Sequence, residues 1–221
     1  MSTGGARRPP LEVSADRWGR PERTERHEAL EELTAAVRRL VEATVATGHE
    51  VGTLRELRDE VDAIAEKLET QLDDDPWKER ASGSIDEPDR MMGINPAIGA
   101  ANPVAPVTEL VVRAGDPEVR GTVRFGLAHV GPPYRAHGGV IASTFDQVLG
   151  IATIAGGAPG MTASMTVTYR RATPIEQDVR IEATLEDAAG RTSRATGRML
   201  DADGNITAEA EATFVQLKRQ G

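Results

Sequence analysis

The chain has 221 residues, 39% of them hydrophobic and 28% charged, with a formal net charge of −9 at pH 7. This composition fits a globular fold, and the acidic balance argues against binding to nucleic acid or to an anionic membrane. The absence of cysteine excludes disulfides, thiolate zinc sites and cysteine nucleophiles. No apolar signal segment follows Arg7 and Arg8. Nor does any run approach about 18 uninterrupted apolar residues, so we expect a cytoplasmic protein.

The first third of the chain predicts a tail followed by a helical extension. Residues 1–23 are rich in Gly, Pro and Arg and have no periodicity, which is typical of a disordered tail. In residues 24–72, apolar residues recur at spacings of three and four, as in amphipathic helices, at Leu30, Leu33, Val37 and Leu40 and again at Leu54, Leu57, Val61, Ile64 and Leu68. Gly48 and Gly52 separate the two stripes, and Thr53 with Glu56 has the spacing of a capping box. We therefore expect a helical hairpin over 24–72, or a pair of helices that docks elsewhere, with the second helix beginning at Thr53.

The rest of the chain predicts a linker and then an α+β domain. Residues 73–106 contain many Gly, Pro, Asn and Asp residues, which indicates a linker. The domain at 107–221 has strand-like segments at 107–114, 118–128, 161–170, 178–187, 192–200 and 206–217, and one helix at 137–155. Two strands, one helix and four strands indicate an antiparallel sheet wrapped around a single central helix.

The predicted central helix has two unlike faces. At about 100° per residue, one face carries large apolar side chains, from Ile141, Phe145, Val148 and Ala152. The opposite face carries small residues and one acid, from Gly139, Ser143, Asp146 and Gly150. Such a face allows another backbone or a thin substrate to approach closely. A solvated Asp on a packing face is the alternative interpretation.

The helix begins at His137-Gly138-Gly139, so its unpaired backbone amides are accessible to a carbonyl oxygen or an oxyanion. An oxygen held there and a carboxylate nine residues after the His form a plausible electrophile-and-base pair. Helix periodicity alone does not show whether both face the same ligand.

The segment PPYRAHGGVIASTFDQVLG, followed by GAPGMTASMTVTYRRATPI, resembles the hotdog-fold acyl-CoA thioesterases of the phenylacetate-pathway and mitochondrial type. The family pattern is His-Gly-Gly, an Asp nine residues after the His, and a Thr or Ser sixteen residues after the Asp. Here these positions are His137, Asp146 and Thr162, and the following strand runs through Tyr169 toward Pro174. The resemblance spans about residues 102–217.

The resemblance implies a hotdog fold and a homodimer, or a dimer of dimers, with active sites between subunits. Each site then takes His-Gly-Gly from one subunit and the Asp from the other. Asp146 acts as the general base that activates water, or as a direct nucleophile, and the amides of Gly138 or Gly139 polarise the thioester carbonyl. His137 contacts the substrate nearby and Thr162 orients the water or the Asp. The substrate is an acyl-CoA, and no separate cofactor or metal is implied.

Further residues are candidates for substrate contacts. Arg170 and Arg171 follow the strand and can meet the phosphates of coenzyme A, although a solvated pair is the alternative. Tyr134 and Ser143 lie before the His-Gly-Gly and on the small-residue face. Thr162 by itself also fits a strand residue, and His137 a capping residue.

Two other functions remain open. Hotdog hydratases and dehydratases act on similar substrates, although the His-to-Asp spacing favours hydrolysis. A non-catalytic acyl-CoA sensor is the second alternative, but residues 24–72 hold six basic and twelve acidic residues, which argues against DNA binding by the hairpin. No G-x-S-x-G elbow, zinc-type histidine spacing, phosphate loop or dinucleotide motif occurs in the sequence.

Overall fold

The computed structural model describes residues 22–76, 82 and 84–216, so most of the predicted tail lies outside the described residues. Helices α1 (Glu25–Ala46) and α2 (Val51–Glu69) form the expected extension. The Arg26 guanidinium donates to Asp73 at 2.8 Å, which joins the start of α1 to the segment after α2. The two helices therefore run antiparallel, as a hairpin.

The predicted start of α2 is wrong. The helix begins at Val51 after the N-cap Glu50, so Thr53 lies inside the first turn. Gly52 does not break the helix because it lies in the first turn. The backbone amides there have no intrahelical acceptor, so the flexibility of a glycine weakens few helical hydrogen bonds.

The described part of 73–106 contributes to the core, which its breaker-rich sequence did not predict. It forms a short helix, α3 (Pro88–Met91). Apart from prolines, five of its apolar side chains are buried, those of Met91, Met92, Ala97, Ile98 and Ala105. The Asn95 side-chain amide donates to the Gln147 carbonyl oxygen at 2.6 Å and so ties this segment to the central helix.

Six strands form one antiparallel sheet in the order β1-β2-β4-β5-β6-β3. Their bounds are β1 Val107–Val111, β2 Glu118–Arg124, β3 Met161–Tyr169, β4 Asp178–Ala189, β5 Thr192–Leu200 and β6 Ile206–Val215. β1 and β2 end earlier than predicted, and β2 is followed by a 3-10 turn at Leu127–His129. The predicted α+β architecture is confirmed, and β3 lies at one edge of the sheet with β1 at the other.

The central helix α4 (Gly138–Ala155) packs on the sheet with the predicted face. Ile141, Phe145, Val148 and Ala152 are all buried, and the buried surface is wider than predicted because Leu149, Ile151 and Thr153 are buried too. These 18 residues have a mean hydropathy of 1.3, long and apolar enough for a membrane span, but 50% of them are buried inside the fold. The sheet therefore accounts for this apolar character.

Helix α1 is attached to the turn that precedes the His-Gly-Gly segment. The Glu42 carboxylate accepts hydrogen bonds from the backbone amides of Leu127 and Ala128. Arg38 donates to the carbonyl of Asn102 at 3.1 Å and to that of Ala105 at 3.2 Å. Burial lowers the pKa of the Arg38 guanidinium, and the charge of Glu42 opposes that shift.

Buried His129 stabilises the same turn. Its Nδ1 accepts from the amide of Gly126 at 2.9 Å, which places the ring proton on Nε2, 3.1 Å from the carbonyl of Val104. Both ring nitrogens are therefore engaged within the fold, so His129 is a structural residue and not a free donor for a ligand.

Candidate active site

The helix start is closed by its own histidine. His137 is the N-cap of α4 with extended backbone angles. Its Nδ1 accepts from the Gly139 amide at 3.0 Å, so Nδ1 carries no proton and the ring proton lies on Nε2. The side chain of His137 is exposed, which leaves Nε2–H as a donor beside the helix terminus.

Gly138 is the second element of this helix start. Its carbonyl oxygen accepts from the Tyr169 hydroxyl at 2.8 Å. A Cβ at Gly138 would lie 3.2 Å from the hydroxyl and the ring of that tyrosine, so a side chain there would require the tyrosine ring to shift slightly. Among the described residues, the Gly138 amide donates to no acceptor. The backbone donor that the helix terminus leaves available is therefore that of Gly138, because Gly139 is used by His137.

Asp146 and Thr162 form the second half of the site. The Thr162 hydroxyl donates to Asp146 Oδ1 at 2.8 Å. Asp146 is half-buried on α4, and Thr162 is exposed on β3. The pairing of β3 with β6 shifts between Thr162 and Ser164, so Ala163 is the extra residue of a β-bulge. Bulges of this kind re-aim neighbouring side chains and are frequent beside active sites.

The two halves do not meet within one protomer. Asp146 lies eight residues after Gly138 on the same straight helix. At about 1.5 Å of rise per residue, roughly 12 Å of axis separates them. A base and a carbonyl donor that act on the same thioester must lie within a few ångströms of the reacting atoms.

The remaining predicted residues surround these two halves. Tyr134 is 86% exposed and has a φ of 64°, an uncommon conformation for a bulky residue. Ser143 is exposed on α4, one turn before Asp146. Arg170 is paired with Glu209 at 2.6 Å, whereas Arg171 is exposed and makes no ion pair within the described residues.

Two neighbouring residues make contacts that the sequence did not predict. Tyr169 belongs to the motif that resembles the family, but no contact was predicted for it. Its hydroxyl donates to the carbonyl oxygen of Gly138. Arg135 was not among the predicted residues. It lies in the same loop as Tyr134 and forms an isolated β-bridge with Pro174, in the segment after β3. No group of three or more His, Asp or Glu side chains that could hold a metal occurs in the described part of the chain.

The architecture and these residues define a hotdog-type protein. The family model of the thioesterase superfamily matches residues 135–208. The crystal structure of protein RHA08564, a thioesterase superfamily protein, is 30% identical with a TM-score of 0.75, and the match covers 90% of this chain and 95% of that protein. The chain belongs to the thioesterase superfamily. Because the sheet begins only at Val107, a match of this coverage includes much of the helical extension.

Two other solved structures match only part of the chain. Zebra fish thioesterase superfamily member 2 is 24% identical over 50% of this chain and 81% of its own, with a TM-score of 0.47. Protein smu.793 from Streptococcus mutans UA159, solved bound to acetyl CoA, is 21% identical over 52% of this chain and 92% of its own, with a TM-score of 0.47.

Proposed function

We propose that this protein hydrolyses acyl-CoA thioesters to a free acid and coenzyme A. The observation that carries the proposal is the hydrogen bond from Thr162 to Asp146, which fixes a carboxylate on the small-residue face of α4, where Ser143 is exposed one turn away. Membership of the thioesterase superfamily supports the reaction class.

Each residue has a distinct role in the proposed reaction. Asp146 is the general base that removes a proton from water, and Thr162 holds its carboxylate in one rotamer. The amide of Gly138 donates to the thioester oxygen, and His137 offers Nε2–H as a second donor. Tyr169 fixes the peptide of Gly138 from the carbonyl side. Direct attack by Asp146 is the alternative role of the same carboxylate.

The proposed hydrolysis does not require a catalytic triad. Water attacks the carbonyl carbon as its proton passes to Asp146, and the negative charge develops on the oxygen held by Gly138. The carbon–sulfur bond then breaks, and the coenzyme A thiolate receives the proton back from Asp146. A thioester has little resonance stabilisation and a good leaving group, so one base and one or two donors suffice. We propose no cofactor or metal beyond the coenzyme A of the substrate.

The reaction requires two copies of the chain. Because roughly 12 Å of helix separates Gly138 from Asp146, we propose a homodimer in which the helix start of one subunit faces Asp146 of the other. Two features support this assembly. Strand β3 has a neighbour on one side only, β6, and its residues 161–164 are exposed in the protomer.

We assign coenzyme A binding to the residues around the helix start. Arg170 is committed to Glu209, so Arg171 is the better candidate for a phosphate contact, together with Arg135 in the neighbouring loop. Tyr134 offers an exposed ring for stacking on the nucleotide, and Ser143 a hydroxyl beside the thioester end. A cytoplasmic location fits an acyl-CoA substrate and remains part of the proposal.

The test is release of free thiol from a panel of acyl-CoAs by the wild-type protein. The chain contains no cysteine, so a thiol reagent reports only coenzyme A. We expect Asp146→Asn to lower kcat at least about a hundredfold while the fold stays intact. Asp203→Asn, in the exposed turn before β6, is the matched control and should hydrolyse normally.

The other outcomes identify the alternatives. Normal hydrolysis by Asp146→Asn would refute the assigned base. Tight binding of an acyl-CoA without turnover would favour the sensor, and hydration of an enoyl-CoA without thiol release would favour the hydratase.

A further inference from the structure

Helix α2 carries its apolar residues in a strict heptad repeat. Leu54, Val61 and Leu68 occupy the a positions, and Leu57 and Ile64 the d positions. Three of the four e positions widen this face, with Val51 and Ala65 and with Leu72 just beyond the helix, and the fourth is Arg58, which pairs with Asp59. The outward b, c and f positions hold most of the charged residues, at Arg55, Glu56, Asp59, Asp62, Glu66 and Glu69. An a, d and e face is wider than a contact with a single neighbouring helix requires.

The apolar face of α2 is largely uncovered in the protomer. No residue of α2 is buried, and its apolar residues from Val51 to Leu68 remain 38–60% exposed. The hairpin and the segment after it expose ten large apolar side chains: Leu33, Leu40, Val45, Val51, Leu54, Leu57, Val61, Ile64, Leu68 and Leu72. Together they present on the order of 800 Å², the area that each partner buries in a standard protein interface. A patch of this size marks an interaction surface.

We propose that this surface binds the same surface of a second copy, so that two hairpins form a four-helix bundle with α2 antiparallel to α2. In antiparallel packing, a positions face d positions of the other helix. Several registers satisfy this rule, but a shift by one heptad in either direction places Glu60 or Lys67 against the same residue of the second copy, so we take the register that avoids these like-charge contacts. Val61 then faces Ile64 of the second copy, and Leu57 faces Leu68 of the second copy.

The charges that flank the stripe select the antiparallel orientation. Glu60 and Lys67 occupy the g positions, and neither makes an ion pair within the described residues. In the antiparallel register, g faces g, so Glu60 meets Lys67 of the second copy, twice by symmetry. In a parallel pair, g faces e, and the same residues would meet Ala65 and Leu72, which carry no charge.

This contact lies away from the proposed catalytic interface. Helix α1 contacts the 3-10 turn after β2, which lies near the start of β1 because Val107 pairs with Arg124. β1 is one edge of the sheet, and β3, with Thr162, is the other. The hairpins therefore join two catalytic dimers into a tetramer. The tetramer rests on the proposed catalytic dimer, but the hairpin contact itself is tested by the change in mass of the hairpin variants, which does not depend on hydrolytic activity.

The test compares the mass of the full-length chain and its variants by light scattering and sedimentation equilibrium. Wild type should have four times the chain mass of 23.6 kDa. Glu60→Lys creates two like-charge pairs and should raise the dimer–tetramer dissociation constant at least about tenfold. Lys67→Glu should do the same, and the double variant Glu60→Lys with Lys67→Glu should restore the wild-type value. Glu66→Lys, at an outward f position, is the matched control.

A variant of the stripe makes the test independent of charge. Leu57→Asp with Ile64→Asp should give a folded particle of half the wild-type mass, with folding checked by the far-ultraviolet spectrum of the whole chain. The proposal is overturned if the wild type and the Leu57→Asp/Ile64→Asp variant have the same mass. Failure of the double charge swap to restore the tetramer would overturn the antiparallel register. Equal effects of Glu66→Lys and Glu60→Lys would show a nonspecific charge effect instead.

Discussion

Replacing Thr162 by valine removes one hydroxyl and preserves the shape of the side chain. In the protein that hydroxyl donates to Asp146 Oδ1 at 2.8 Å. Valine leaves the strand position filled, and Thr162 is exposed, so the substitution should change the free energy of unfolding by less than about 0.5 kcal/mol. The variant therefore tests the orientation of Asp146 and not the stability of the fold.

The magnitude follows from the charge of the acceptor. A hydrogen bond to a charged group contributes about 1.5–3 kcal/mol, and competition from water at this partly exposed pair favours the lower end. Because about 1.4 kcal/mol corresponds to a factor of ten in rate, we expect kcat to fall roughly tenfold. The KM should change little, because Thr162 contacts the base in the proposed mechanism and not the bound thioester.

The assay is thiol release at saturating and limiting acyl-CoA, which separates kcat from KM. Thr162→Ser keeps a hydroxyl at the same position and should retain most of the activity. Thr166→Val changes an exposed threonine of the same strand and is the second control. The reasoning fails if Thr162→Val turns over as fast as wild type. It also fails if Thr162→Ser is as slow as the valine variant.

Three further outcomes follow from contacts elsewhere. Tyr169→Phe removes the hydroxyl that holds the Gly138 carbonyl and should lower kcat severalfold without unfolding the protein, as measured by thiol release and circular dichroism. Glu42→Ala leaves two backbone amides of the turn after β2 without their acceptor. It should lower the free energy of unfolding by about 1–3 kcal/mol. Glu32→Ala on the same helix should leave it unchanged, and chemical denaturation measures both variants. Burial raises the pKa of the Asp89 carboxyl, and the charge of Arg90 opposes that shift. The neutral acid therefore contributes stability at low pH, and this stability is lost as the pH rises through the folded-state pKa of Asp89. Asp89→Asn should therefore raise the melting temperature at pH 8, and the gain should shrink as the pH approaches the ordinary range of an aspartate.

The sheet and the central helix could be predicted because their signals are periodic. Ile141, Phe145, Val148 and Ala152 all fall on the buried side of α4, since a helix against a sheet sorts its residues by angle. The segment around Met91 and Ile98 could not be assigned to the core, because an irregular chain buries residues at no fixed spacing. Its contribution depends on contacts such as Asn95 with Gln147, which are distant in sequence.

In the candidate site, too, local sequence patterns were predictable and contacts between distant residues were not. The His-Gly-Gly start and the spacing of Asp146 to Thr162 are local patterns, so the residues were identifiable from the sequence. The choice between Gly138 and Gly139 as the free donor was not, because it depends on which amide the His137 ring takes. Nor did the sequence separate Arg170 from Arg171, because the glutamate that engages the first lies on β6.

Strand β3 also affects how the protein can be made and stored. Its nine residues, MTASMTVTY, include no charged residue and no proline, the features that normally prevent edge strands from adding further strands. The opposite edge, β1, is only five residues long and contains Glu109. A freshly synthesised or strongly diluted protomer therefore presents an unprotected template for intermolecular β-pairing. Variants that weaken the partner contact should therefore produce insoluble aggregate rather than a stable monomer.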